Sequence, residues 1–146
     1  MGLIDAIQGR HVYLDANVFI YLFEAPETYG ATLHVLARSL DQGLINAATS
    51  ELTLAEVLVK PIREAPSYIP IYQQYLRTRS HFEVHPVSRA VLVEAARLRA
   101  GSPLKLPDAI HAATAMQTNC EVFLTNDGRI KSITGLDVLQ LADFAA

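Results

Sequence analysis

The sequence has one cysteine, Cys120. A single thiol excludes an intrachain disulfide and any zinc site built on several cysteines, and it suits a reducing, cytosolic setting. No apolar run reaches the roughly 20 residues needed to cross a bilayer, and the N-terminus has no signal-peptide pattern, so no membrane association is expected. An excess of positive charge is also missing. Twelve Lys and Arg stand against 15 Asp and Glu, a net charge of −3, so no overall basic field announces a polyanion partner. That weakens a nucleic-acid reading without removing it, because carboxylates devoted to a metal count in the same total. There is no repeat, low-complexity tract or linker. What remains is 146 residues, 51% apolar and 18% charged, which reads as one globular domain over 1–146.

The organising stretch is His11-Val12-Tyr13-Leu14-Asp15-Ala16-Asn17. Its apolar start favours a buried strand and it stops on a carboxylate and a carboxamide. Residues 17–23 read as a helix start ended near Pro26, and 28–43 as a helix stopped by Gly43. A second strand follows over 44–49. Ser50 caps a helix over 51–60 that should end before Pro61, with Leu52, Ala55, Glu56 and Val59 on one face. Residues 65–80 read as helical and 82–85 as a short strand. Residues 88–100 form an amphipathic helix with Val91, Ala95 and Leu98 inward, closed by Gly101. An alanine-rich helix from Leu106 carries Asp108 in its first turn; 121–125 is a buried strand ending in Asn126-Asp127-Gly128, and 136–141 a last strand. Strands alternating with helices predict an α/β, three-layer αβα sandwich around a central parallel sheet.

Asp15 and Asp127 follow strands, while Glu56 and Asp108 lie on helices that follow loops. In a doubly wound sheet such positions converge beyond the carboxyl ends of the strands. Unit charges about 4 Å apart repel by about 4 kcal/mol at an effective dielectric near 20. Protonation relieves that, and a hard divalent cation relieves it better. Such a centre activates water and stabilises charge during phosphoryl displacement.

These residues carry a resemblance. Tyr13-Leu14-Asp15-Ala16-Asn17, Thr53-Leu54-Ala55-Glu56-Val57, Leu106-Pro107-Asp108-Ala109-Ile110-His111-Ala112-Ala113 and Leu124-Thr125-Asn126-Asp127 occur in the order and spacing of the PIN domain. The chain resembles that family, and more closely the VapC-type toxins of prokaryotic toxin–antitoxin pairs. The resemblance implies Mg²⁺ or Mn²⁺ at the acid cluster and endoribonuclease activity, with water attacking an RNA phosphodiester to leave a 5′-phosphate. It also implies a homodimer and a cognate antitoxin that fills the site. One departure concerns the last motif. Many VapC-type sequences run Thr-x-Asn with a later Asp-Phe, whereas here it is Thr-Asn-Asp-Gly, so Asp127 is the better match for the fourth acid and Asn126 stays open.

Bland roles stand beside the functional ones. Asp15 can cap a helix, Glu56 can pair with Lys60 one turn on, Asp108 can answer the helix dipole and Asp127 can serve a turn. Asn17 and Thr125 are candidates to position an acid. His111, three residues after Asp108, is more simply a packed or hydrogen-bonded histidine than a ligand. Among the cations, Lys105 and Arg129 lie nearest the motif acids in sequence and rank first for RNA phosphates. The competing readings are a PIN-like nuclease for structured DNA or ribosomal RNA precursors and a catalytically silent RNA-binding module. Exposed apolar side chains on 28–43 and 65–80 are the candidate dimer or antitoxin surfaces.

Overall fold

In the computed structural model, which describes residues 2–144, five parallel strands form one sheet in the order β3-β2-β1-β4-β5. The strands are β1 (His11–Leu14), β2 (Asn46–Ser50), β3 (Phe82–His85), β4 (Val122–Thr125) and β5 (Asp137–Gln140). Between them run α1 (Leu3–Ile7), α2 (Ala16–Glu24), α3 (Pro26–Asp41), α4 (Glu51–Glu64), α5 (Tyr68–Tyr75), α6 (Arg89–Gly101) and α7 (Leu106–Gln117), and a 3₁₀ turn closes the chain at Leu141–Phe144. The three-layer reading holds. Side chains alternate across the pleat, so Val12, Leu14, Ala47, Val122 and Leu124 face one core, shared with Ile7, Phe19, Leu33 and Tyr72. Tyr13, Ala48 and Phe123 face the other, against Ala95, Ala109, Ala112 and Ala113 of α6 and α7. The alanines let α7 lie close to the sheet.

β1 connects toward β2 on one side, and the chain later returns to place β4 on its other side. The strand order therefore reverses between β1 and β4, and a crevice opens beyond their carboxyl ends. Asp15 and Asp127 are the acids that follow those two strands.

Three boundaries differ from expectation. α4 continues through Pro61 to Glu64. The proline removes one helical hydrogen bond, but its ring and Val57 are buried with Thr53 on a shared stripe, and that packing overrides the propensity. The inward face of α4 is thus Thr53, Val57 and Pro61. Val59 and Ala55 are exposed, so Glu56 does not sit on an apolar stripe as the spacing suggested. α5 covers only Tyr68–Tyr75. Arg79 then turns back to stack its guanidinium 4.5 Å from the Tyr75 ring and 4.7 Å from Phe82, and its backbone bridges to Phe82 to start β3. Gly101 is the last residue of α6, and Ser102 follows as its cap. Gly43 does terminate the α3 region as expected, with φ +75°; a Cβ there would come 2.7 Å from His81 Nε2.

Candidate active site

The end of β1 is tied to the end of β4 by side chains. Asp15, buried at the N-cap of α2, accepts the Ala16 N–H at 2.9 Å through Oδ1. Its Oδ2 accepts the Thr125 hydroxyl at 2.7 Å and the Asn17 amide at 3.3 Å. Asn17 Oδ1 in turn accepts the Asn126 N–H at 2.9 Å, and Thr125 Oγ1 accepts the Asp127 N–H at 3.0 Å. Asn17 and Thr125 therefore hold Asp15 and the 125–127 turn in one network. Asn126 contributes its backbone to that network.

α7 brings the next acid. Pro107 in the first turn needs no N–H partner, and Asp108 follows it, half-buried. Burial pushes its carboxyl above the ordinary value, and the charges of Asp15 and Asp127 push the same way, against His111 and Arg129. One turn on, His111 is fully buried. The Tyr13 hydroxyl lies 2.6 Å from its Nδ1, and Glu56 Oε1 lies 2.5 Å from its Nε2. Asp15 Oδ1 is 3.9 Å from the same Nε2. The Glu56 carboxylate only accepts, so the Nε2 that faces it carries an N–H; burial and the neighbouring Asp15 hold Tyr13 protonated, with its hydroxyl placed to donate to Nδ1. His111 is thus the packed, hydrogen-bonded residue that its sequence context favoured, and it is also what carries Glu56 toward Asp15. The Lys60 pair that Glu56 could have made is absent among the described residues.

Asp127 points to Arg129. Nε of the guanidinium meets Oδ1 at 3.0 Å and Nη2 meets Oδ2 at 2.7 Å, a bidentate pair that holds the carboxyl below its usual value. Lys105 precedes α7 as its N-cap residue, exposed and contributing positive potential at Asp127.

Among the described residues no three His, Cys, Asp or Glu side chains come close enough to hold a metal ion together. Glu56 is engaged by His111 and Asp127 by Arg129. Asp127 is the candidate acid paired with an arginine; Asp15, Glu56 and Asp108 form no ion pair with lysine or arginine among the described residues, and of these three Glu56 is taken by the His111 ring. Tyr13 was read from sequence only as a strand residue. The signal available was that a tyrosine in a strand buried on both faces must find a partner for its hydroxyl. Thr53, which opens the second motif, and Thr49 have their hydroxyls 2.7 Å apart and brace the strand end through Leu14 O.

The PIN domain signature matches residues 12–136. The chain belongs to the PIN domain family. Solved structures share its fold. The toxin–antitoxin complex from Klebsiella pneumoniae is 25% identical with a TM-score of 0.66, covering 89% of this PIN domain chain and 97% of the other. VapBC2 from Rickettsia felis, bound to a DNA fragment from its promoter, is 21% identical at a TM-score of 0.65 and covers 89% and 98%. VapC20 from Mycobacterium tuberculosis, described as a sarcin–ricin loop cleaving toxin, is 16% identical at 0.66 and covers 80% and 90%. Comparison with curated protein sequences returned no match. No helix among the described residues of this PIN domain is long and apolar enough to cross a membrane.

Proposed function

We propose that this PIN domain is a Mg²⁺- or Mn²⁺-dependent endoribonuclease and the toxin of a toxin–antitoxin pair. The observation that carries the reading is the half-buried Asp108 carboxyl set against Asp15 and Asp127 at the crevice where strand order reverses. Excess negative charge at that place suits a hard cation. Mg²⁺ commonly takes only one or two protein carboxylates and keeps several waters, which matches Asp15 and Asp108 as the acids to hold it. Glu56 and Asp127 complete the acid set from its flanks. When bound, such a cation supplies an acidified water and offsets charge on the phosphodiester.

The chain's own residues do the rest. Thr125 and Asn17 fix the Asp15 carboxylate by hydrogen bonds to Oδ2. His111 holds Glu56 at the crevice. Arg129 and Lys105 draw the RNA backbone toward the acids. RNA is cut in unpaired or looped segments, where strand and bases are accessible, leaving a 5′-phosphate. The fold shared with toxin–antitoxin complexes supports a cognate antitoxin that covers the crevice. A homodimer is supported by apolar side chains left exposed on α3 and α5, Val35 at 39% and Ile71 at 40%.

The test is incubation of matched RNA and DNA oligonucleotides with Mn²⁺, beside EDTA and the Asp15→Asn variant. RNA cleavage that needs both the cation and Asp15 supports the reading. Cleavage of DNA alone, or a rate in Asp15→Asn equal to wild type in nuclease-free preparations, overturns it.

A further inference from the structure

Beyond Arg129 the crevice continues. A cavity of about 350 Å³ lies between the end of α6 and the loop after β4, lined in part by Arg97, Lys131, Ser132 and Thr134. A smaller one of about 160 Å³ contains Asp108 and Lys105. Pro103, Leu104 and Arg129 bound both, so the two form one track leading away from the candidate catalytic acids. Its charge is opposite to that of the whole molecule. Arg97, Lys105, Arg129 and Lys131 line it, and Asp108 is its sole acid, in a chain of net charge −3. Exposed Arg97 is paired only with half-buried Glu94 at 3.2 Å, and Lys131 forms no ion pair among the described residues.

We propose that this track seats the unpaired RNA segment flanking the scissile phosphodiester, a subsite that rests on the nuclease reading above. Arg129 stands at the junction and meets the phosphate nearest the acids, and Arg97 and Lys131 meet the next ones. Leu98, Leu104 and Ile133 supply an apolar floor for one nucleoside, with Ser132 and Thr134 offering hydroxyls for hydrogen bonds. The size agrees: small-molecule sites run from roughly 300 to 1,000 Å³, so the larger cavity has room for a nucleotide and none for a duplex. No acid lines the larger cavity; Glu94 and Asp127 lie behind it, paired with Arg97 and Arg129, and Lys131 is left as its unpaired cation among the described residues.

The experiment is fluorescence anisotropy with a short unstructured RNA in EDTA, where no cleavage occurs, across a salt series. Lys131→Gln and Arg97→Gln are compared with wild type and with Arg10→Gln, whose charge lies at the amino end of the central strand β1, away from the carboxyl ends that bound the crevice. Each track variant is expected to weaken binding roughly threefold to tenfold and to flatten the salt slope by about 0.7 for each phosphate no longer neutralised, while Arg10→Gln changes neither. Circular dichroism confirms folding of these surface variants. If the wild type cleaves RNA with Mn²⁺ but both track variants bind as wild type, the track is not the subsite and the nuclease reading stands. If the wild type neither binds nor cleaves RNA, both fall.

Discussion

The Tyr13 hydroxyl meets His111 Nδ1 at 2.6 Å across 98 residues of sequence, and the opposite ring nitrogen meets Glu56. A strand residue from one motif and a helix residue from another thus orient the acid of a third. Replacing Tyr13 with Phe keeps the ring stacked on Phe123 at 5.3 Å but leaves a buried imidazole nitrogen without its donor. An unsatisfied buried polar group costs about 1–3 kcal/mol, which urea denaturation at neutral pH will register. RNA cleavage should fall as well, since the imidazole can then take the other tautomer and present no N–H to Glu56.

Asp15→Asn separates chemistry from folding. Asparagine caps helices as well as aspartate: its oxygen keeps the Ala16 N–H and its NH2 can donate to the Thr125 hydroxyl, while the Asn17 bond to Oδ2 is lost, so stability should fall by only about 1–2 kcal/mol. The charge is lost, and cleavage should drop roughly 10²-fold or more, the scale seen when one electrostatic stabiliser is removed from an active site. A large loss of stability together with activity would mean that Asp15 is chiefly a cap.

Asp108→Asn should raise the melting temperature in EDTA at pH 7. The folded carboxyl titrates above its ordinary value of 3.8 because of burial and the charges of Asp15 and Asp127. A raised acid contributes stability below its unfolded pKa and loses that contribution as pH rises through the folded value. The gain from the variant should therefore be full at neutral pH and vanish below about pH 3.8. Adding Mn²⁺ should stabilise the wild type more than the variant; equal shifts would remove Asp108 from the cation site.

Arg129→Gln tests the opposite shift. Asp127 is held below 3.8 mainly by its hydrogen bonds to Arg129. Its contribution is present above that value and is lost as pH falls through the folded one. In the variant, carboxyl resonances followed by NMR should show Asp127 titrating higher. Asp108 should rise too, because Arg129 opposes its shift. The guanidinium is exposed, so the melting temperature should change little.

Much of the site was legible along the chain because it depends on local rules. A strand that stops on Asp15, a proline-started helix with Asp108 in its first turn, and a turn carrying Asp127 each follow from propensity and capping within a few residues. Alternating strands and helices sufficed for the parallel sheet and hence for a crevice at its carboxyl edge. Glu56 is different. Its spacing implied an apolar face, yet α4 buries Thr53, Val57 and Pro61 instead, and Glu56 reaches the crevice only through His111, 55 residues away. Asp127 is the converse case: its carboxylate is taken by Arg129 only two residues on, a local pair set by the turn itself.

The sequence by itself determined which acids lie at strand ends and helix starts, since those positions are set by hydrogen bonding and periodicity over a few residues. Only the tertiary structure decided which of them face bare carboxylates and which face a partner. That outcome rests on side chains from distant segments competing for the same donors once the sheet has brought them within a few ångströms.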